Sequence, residues 1–357
     1  MSDASTSRSL LKPPERRPSG LGLLPVVLVC AGLVLAAASA LAQDAEPTAE
    51  PATEAAAPDA VADPAGPAAG ETADAKADAV DAMAKAFGAF QRGYYLTAME
   101  LALPRAQLGD PAAQTLLAEL FASGLGVPRS MDDAAFWYKQ AAEGGDASAQ
   151  FKYAVMLLEG QYVEPDREES ELFMKKAADA GNAFAQFNHA QTLVSAKPGP
   201  PGILEALPYF EKAAENGVPD AQYALAQIYN NTAGIPEQKR AQAREWMKNA
   251  ALAGFDTAQL DYAIWLIDGI GGDKDYETGF RWMEIAASRG NVVAQNRMAV
   301  LHINAIGTLG DPVEAAKWYI LSRRAGFDDR SLDDFYQGLT DDEQKRAIEA
   351  ANAFGKR

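Results

Sequence analysis

From about residue 77 onward, apolar positions recur at helical spacing in paired blocks, and the blocks repeat. The pair Ala-Gln returns as Ala113-Gln114, Ala149-Gln150, Ala185-Gln186, Ala221-Gln222, Ala258-Gln259 and Ala294-Gln295, at spacings of 36, 36, 36, 37 and 36. A glycine series, Gly109, Gly145, Gly181, Gly217, Gly254, Gly290 and Gly326, keeps the same phase. Two markers locked together over six periods define a tandem repeat rather than an accident of an alanine-rich chain. Counting each marker alanine as zero, positions 4, 5 and 8 are mostly apolar, as in Leu117, Ala118 and Phe121 or Tyr262, Ala263 and Leu266, which predicts a first helix.

A second helix follows in each unit. An aromatic stands eight residues before the closing glycine: Trp137, Phe173, Tyr209, Trp246, Trp282 and Trp318. In five units an alanine pair comes next, for example Ala141-Ala142 and Ala286-Ala287. Large rings facing small alanines allow close helix packing, so Trp246 and Trp282 are expected to be buried between helix layers. The closing glycine falls where a helix needs a left-handed residue to stop. Within the unit, Gly124-Leu125-Gly126-Val127-Pro128 and Gly269-Ile270-Gly271 read as turns; they follow helices and lack the Lys-Ser/Thr ending of a phosphate loop.

Residues 77–108 place Ala98, Leu101 and Ala102 at the right distances before Gly109 and read as a divergent first unit. At the other end, Thr340-Asp341-Asp342-Glu343 is a capping box opening a helix through about Phe354, a polar terminal helix of the kind a repeat array needs to close its core. Two turns break the pattern, Lys197-Pro198-Gly199-Pro200-Pro201-Gly202 and Asn230-Asn231-Thr232, and are expected to be irregular.

The stretch Ala118–Asp146, AELFASGLGVPRSMDDAAFWYKQAAEGGD, resembles the Sel-like repeats, close relatives of the tetratricopeptide repeats, with Gly-x-Gly-Val-Pro, Trp-Tyr and Ala-Ala in place. The resemblance covers about residues 85–326. It implies an all-α fold, a right-handed α-solenoid of about six to seven helix-pair repeats with a C-terminal capping helix, spanning residues 76–357. It also implies a protein-interaction scaffold without enzymatic activity. Some exported members regulate the sensory domain of a membrane kinase. Others have been described as cell-wall or β-lactam hydrolases, but those resemble cysteine-rich repeats.

The N-terminus has a different character. Arg8, Lys12, Arg16 and Arg17 precede an uncharged stretch from Pro18 to Gln43, within which Leu21–Ala42 is apolar and ends in Ala40-Leu41-Ala42. This is the three-part pattern of a secretory signal over residues 1–42, while about 20 apolar residues also suffice for an uncleaved anchor. Both readings export the remainder, to a bacterial-type periplasm, as a soluble protein or one tethered to the inner membrane. Val29 before Cys30 disfavours a lipoprotein signal, and Pro18 after Arg16-Arg17 a twin-arginine one. Residues 43–75 carry thirteen alanines, five prolines and eight acidic residues, with no basic or aromatic residue, and read as a disordered, self-repelling linker.

Charge and composition narrow the function. The 357 residues carry a formal charge of −17, against any general attraction to nucleic acid or anionic lipid. Cleavage after Ala42 would remove the sole cysteine, so the mature repeats hold no disulfide. His189 and His302 fall at core-facing positions three repeats apart, and the acidic strings Asp132-Asp133, Glu168-Glu169, Asp328-Asp329 and Asp341-Asp342 mark helix starts and solvated faces. Asp268–Asp275 misses the spacing of a calcium loop. No catalytic, metal or cofactor site is expected.

The informative column is position 2 of the first helices: Phe151, Phe187, Tyr223 and Leu260. On an arc opposite positions 0, 4, 5 and 8 it would line a concave groove for another protein or an extended peptide. The same side chains could instead pack between successive first helices. The expectation is thus an exported, non-enzymatic scaffold, with a regulator of a membrane receptor or sensor kinase as its refinement. A cell-wall or β-lactam hydrolase and a membrane-tethered structural envelope protein stand as alternatives.

Overall fold

The computed structural model describes residues 73–355. The apolar N-terminal run, its cleavage motif and the linker as far as residue 72 lie outside the described residues. Among the described residues all regular structure is helical. Seven helix pairs succeed one another: α1 (Ala73–Gln91) with α2 (Tyr95–Gln107), α3 (Pro111–Ser123) with α4 (Met131–Glu143), α5 (Ala147–Glu159) with α6 (Arg167–Asp179), and α7 (Ala183–Ala196) with α8 (Pro200–Glu215). The next pairs are α9 (Pro219–Asn231) with α11 (Ala243–Leu252), interrupted by the one-turn α10 (Glu237–Arg240), then α12 (Asp256–Asp268) with α13 (Tyr276–Ser288) and α14 (Val292–Ile303) with α15 (Pro312–Arg324). The closing helices are α16 (Arg330–Gln337) and α17 (Asp341–Ala353). Each helix packs mainly on its neighbours in sequence, which is the contact pattern of an α-solenoid.

The turn between units is compact because each residue in it ends one helix or begins another. At the α4–α5 junction Gly145 takes φ 94°, a left-handed value that a side chain would strain. There the Gly145 and Asp146 amides bond back to the carbonyls of Ala142 (3.1 Å) and Ala141 (3.0 Å). Asp146 then caps α5 by accepting from the Ala149 amide at 2.8 Å. Asp110, Asn182 and Asn291 cap their helices the same way. Val218 and Phe255 stand in that place in the two units between Asn182 and Asn291, without a capping oxygen. Val218 is buried there instead.

The Ala-Gln marker has a single structural meaning. The amide Nε2 of each marker glutamine donates to the backbone carbonyl eight residues earlier. These bonds run from Gln114 to Ala106 (3.0 Å), Gln150 to Ala142 (3.2 Å) and Gln186 to Ala178 (3.2 Å). They continue from Gln222 to Ala214 (3.2 Å), Gln259 to Ala251 (3.2 Å) and Gln295 to Ala287 (3.1 Å). All six are buried, and each ties a first helix to the last turn of the preceding second helix, where carbonyls have no partner within their own helix. The marker alanine next to it is fully buried in every unit, leaving room for that approach.

The aromatic series of the second helices requires a correction. Trp137, Phe173 and Trp318 are buried, whereas Tyr209, Trp246 and Trp282 are only half-buried. The consistently buried column lies one residue later, at Tyr138, Met174, Phe210, Met247, Met283 and Tyr319. One residue is a 100° step around a helix, enough to move a side chain from the interhelical seam to its rim. A large ring at the rim covers the seam while keeping one edge in water, so ring size alone misplaced the core.

Both irregular turns are present. Lys197 ends α7 with a non-helical backbone and its ammonium pairs with Glu205 at 2.6 Å. In the next unit Arg240 closes the inserted turn by donating to the carbonyls of Asn230 (3.1 Å), Thr232 (2.6 Å) and Ile235 (3.2 Å). At the C-terminus the Thr340–Glu343 capping box forms as expected and opens α17, which packs on α15 with Phe354 edge-on to Trp318 at 5.4 Å. The short α16 is capped by Asp329, from one of the acidic strings read as helix starts and solvated faces.

Replacing Gln186 with Leu keeps most of the volume but removes the bond between helices, leaving the Ala178 carbonyl to the Gly181 amide at 3.1 Å. It should cost about 0.5–1.5 kcal/mol in urea unfolding followed by circular dichroism. An unchanged midpoint would mean that the amide link contributes nothing.

Candidate interaction surface

The position-2 column sits between consecutive first helices and is partly open. Phe151 of α5 is half-buried and stacks on Phe184 of α7, with centroids 6.1 Å apart and planes 25° apart. Phe187 of α7, also half-buried, meets Phe210 of α8 edge-on at 5.9 Å. Tyr223 of α9 tilts against Phe255, the residue opening α12, at 5.2 Å. Leu260 differs, for at 9% exposure it belongs to the core. The structure thus leaves three rings of the column half-buried against the core and withdraws the fourth side chain, Leu260, into a core cluster shared with α13 and α14.

Two further residues join this surface. Phe184 is 58% exposed, at a position occupied in other units by Ala112, Ser148, Asp220, Thr257 and Val293. An isolated aromatic at an otherwise small or polar repeat position was the signal that could have found it. Asp261 of α12 accepts from the Tyr223 hydroxyl (2.9 Å) and the Gln227 amide (3.0 Å), both through Oδ2. Burial pushes its carboxyl above the ordinary carboxylate value, and those two bonds oppose the shift.

The histidines occupy core positions, as expected. His189 lies edge-on to Tyr209 at 4.8 Å and His302 edge-on to Phe280 at 5.3 Å. Burial holds both imidazoles below their ordinary value of 6.5; the Lys175 charge adds to the effect at His189. The Tyr209 hydroxyl donates to Asp179 at 2.8 Å, and Asp179 pairs with Lys175 at 2.5 Å, so the polar groups near His189 satisfy one another. The acidic turn at 268–275 has a cation of its own. The Arg244 guanidinium donates to the carbonyls of Ile270 (2.8 Å), Asp273 (2.7 Å), Trp265 (3.2 Å) and Gly272 (3.0 Å). Those oxygens face an arginine, and among the described residues no group of three acidic, histidine or cysteine side chains is arranged to hold a metal.

The Sel1 repeat profile matches residues 111–146, 147–182, 183–218, 219–255, 257–291 and 292–327, well over half of the chain. The chain belongs to the Sel1 repeat family. The α1–α2 pair lies before the first match and packs against α3 as a divergent unit. No curated protein matches the chain. Among solved structures, a Sel1 repeat protein from Oxalobacter formigenes is 24% identical with a TM-score of 0.55, over 70% of this chain and 99% of that one. A protective antigen with an SLR fold from uropathogenic Escherichia coli strains is 25% identical with a TM-score of 0.49, over 73% of this chain and 64% of that one. The chain therefore spans less than two thirds of that antigen. An immunity protein from Pseudomonas aeruginosa is 18% identical with a TM-score of 0.36, over 68% of this chain and 82% of that one.

Sel1 repeat proteins are generally protein–protein interaction scaffolds and typically non-catalytic. In this Sel1 repeat protein the exposed Phe184 and the half-buried Phe151, Phe187 and Tyr223 lie on first helices, in the units matched at 147–182, 183–218 and 219–255. No helix among the described residues is long and apolar enough to cross a membrane.

The buried histidines give stability a pH dependence whose sign is fixed. With folded values below the unfolded ones, the unfolded chain binds more protons near pH 6. Their contribution is complete above about 6.5 and is lost as pH falls through the depressed folded values. Leu117 and Leu225 hold the His189 position in other units, so His189→Leu fits. Its urea midpoint should fall less between pH 7.5 and 5.5 than that of the parent protein; equal falls would show that His189 does not titrate with folding.

Proposed function

We propose that this Sel1 repeat protein is an exported, non-enzymatic scaffold whose first-helix surface holds a segment of another protein. The observation that carries the reading is Phe184, a large ring left 58% exposed while stacked on Phe151. A rigid, pre-stacked aromatic pair offers contact area at little ordering cost, and such residues dominate interface energetics. Phe187 and Tyr223 extend the surface along the next two first helices, giving an elongated footprint suited to an extended peptide or a helix laid across repeats.

The division of labour along the chain belongs to the same proposal. Residues 1–42 export the protein as a signal or anchor, residues 43–75 act as a tether, and residues 76–357 bind the partner. The periplasm is the compartment that the basic–apolar–small pattern supports. A membrane receptor or sensor kinase is the finer identity of the partner. The 22-residue apolar run Leu21–Ala42 favours one second reading, a membrane-tethered structural protein of the envelope.

A photo-crosslinking residue at Phe184 should capture one protein in cells, while the same residue at the exposed Lys139 of α4 should not. The capture should fail in a Phe151→Ser background whose circular dichroism is unchanged. Equal capture from both positions would sink the surface assignment. The mass of the mature N-terminus separates the two export readings: a chain beginning after Ala42 is free, and one retaining residues 21–42 is tethered.

A further inference from the structure

One acidic side chain on this surface is neither solvated like the others nor paired. Asp261 stands at position 3 from its marker alanine, where the other units carry Leu116, Lys152, Asn188, Ala224 and Arg297. It is half-buried against the preceding unit, where Tyr223 and Gln227 both donate to Oδ2. Gln227 Nε2 also reaches the Tyr223 hydroxyl at 3.3 Å, so the two donors are held together and fix the carboxylate plane. Oδ1 accepts no hydrogen bond from the described residues and is not sealed inside the protein. Among the described residues no lysine or arginine forms an ion pair with Asp261; Arg297, in the same register one unit on, is exposed and does not reach it.

A partly desolvated carboxylate without a cation is costly, and that cost is relieved when a charged donor arrives. The raised carboxyl value is consistent with burial that no cation offsets. A lone carboxylate oxygen is too few ligands for calcium or magnesium. It does suit one cationic side chain, and Tyr223, tilted against Phe255, supplies a ring surface for that side chain's stem or guanidinium plane. The formal charge of −17 favours encounter with a basic partner.

We propose that Asp261 is the specificity-determining acceptor for an arginine or lysine of the bound segment, so that the partner is a basic segment with apolar residues flanking its cation. The inference rests on the interaction-surface reading above. Tyr223 and Gln227 are positioning residues: they hold Oδ2 and leave Oδ1 facing the incoming donor.

The test is selection of random peptides displayed on phage by the immobilised full-length protein, for the parent chain, Asp261→Asn and Phe184→Ser. Peptides selected by the parent should share an arginine or lysine at one register beside apolar residues. Asp261→Asn can still accept from Tyr223 and Gln227, and its circular dichroism and Tm should match the parent. It should bind those peptides about tenfold more weakly or worse. Exchanging the peptide's arginine for neutral citrulline should weaken binding to the parent by a similar factor and change binding to Asp261→Asn little, since both remove one coupling. Selected peptides without a shared basic residue, or equal binding of arginine and citrulline forms by the parent, would overturn the role of Asp261 while leaving the aromatic surface standing. Failure of the parent to select any peptide would overturn both readings. Phe184→Ser binding like the parent while Asp261→Asn fails would support Asp261 and overturn the aromatic part.

Discussion

Each unit of this solenoid is joined to the one before it by a buried side-chain amide, and much else follows from that bond. The last carbonyls of an α-helix have no partner in their own helix; the turn glycine amide bonds one of them in each unit, and that oxygen keeps a second lone pair for another donor once the next helix covers it. Here they are covered, because alanines at the marker position and in the pairs of the second helices let backbones come close. The glutamine beside the marker alanine reaches back eight residues, across the glycine turn, to bond one such carbonyl. The reach is constant only if the turn is constant. The left-handed glycine, the cap that follows it and the Ala-Gln pair are therefore three parts of one junction, and the junction holds the period at about 36 residues.

Against that uniform frame, the proposed interaction surface is made of departures. Phe184 is an aromatic where other units have small or polar residues, and Asp261 is an acid where its counterparts are apolar, amide or basic. Neither is needed by the junction. Repeat proteins separate these tasks well, since contacts run between neighbours and a change on the open face of one unit leaves the others intact. The rings of the position-2 column pack across to adjacent helices and stay half-buried, so under the proposed function packing and binding are not exclusive there.

Charged groups inside the array follow the same economy of local pairing. Arg244 fills the glycine-rich turn at 268–275 with four bonds to backbone carbonyls, and Arg240 does the same with three in the unit before it. Glu211 accepts from Tyr229 at 2.8 Å and pairs with Lys239, tying α8 to α9 and to the inserted α10. These two turns within units are thus held by arginine, whereas the turns between units are held by glycine and a cap. Asp261 stands apart from this pattern, since its two donors are neutral.

The sequence by itself determined the helix pairs, their phase, the glycine turns, the two irregular turns and the C-terminal capping box, because each depends on spacing or on a residue's own backbone preference. Both histidines were also legible, since position in a repeat predicts burial when neighbouring units share a core. What the sequence could not decide was which side of a 100° step faces the seam. The buried column fell at Met247 and Met283 rather than at Trp246 and Trp282, and Leu260 left the surface that Phe151, Phe187 and Tyr223 share. Pairings across units were equally out of reach. Phe151 meets Phe184 thirty-three residues away and Tyr223 meets Asp261 thirty-eight away, distances fixed by how one unit rotates onto the next. That rotation is set by the packed alanines and the glutamine bond together, and only the tertiary structure expresses it.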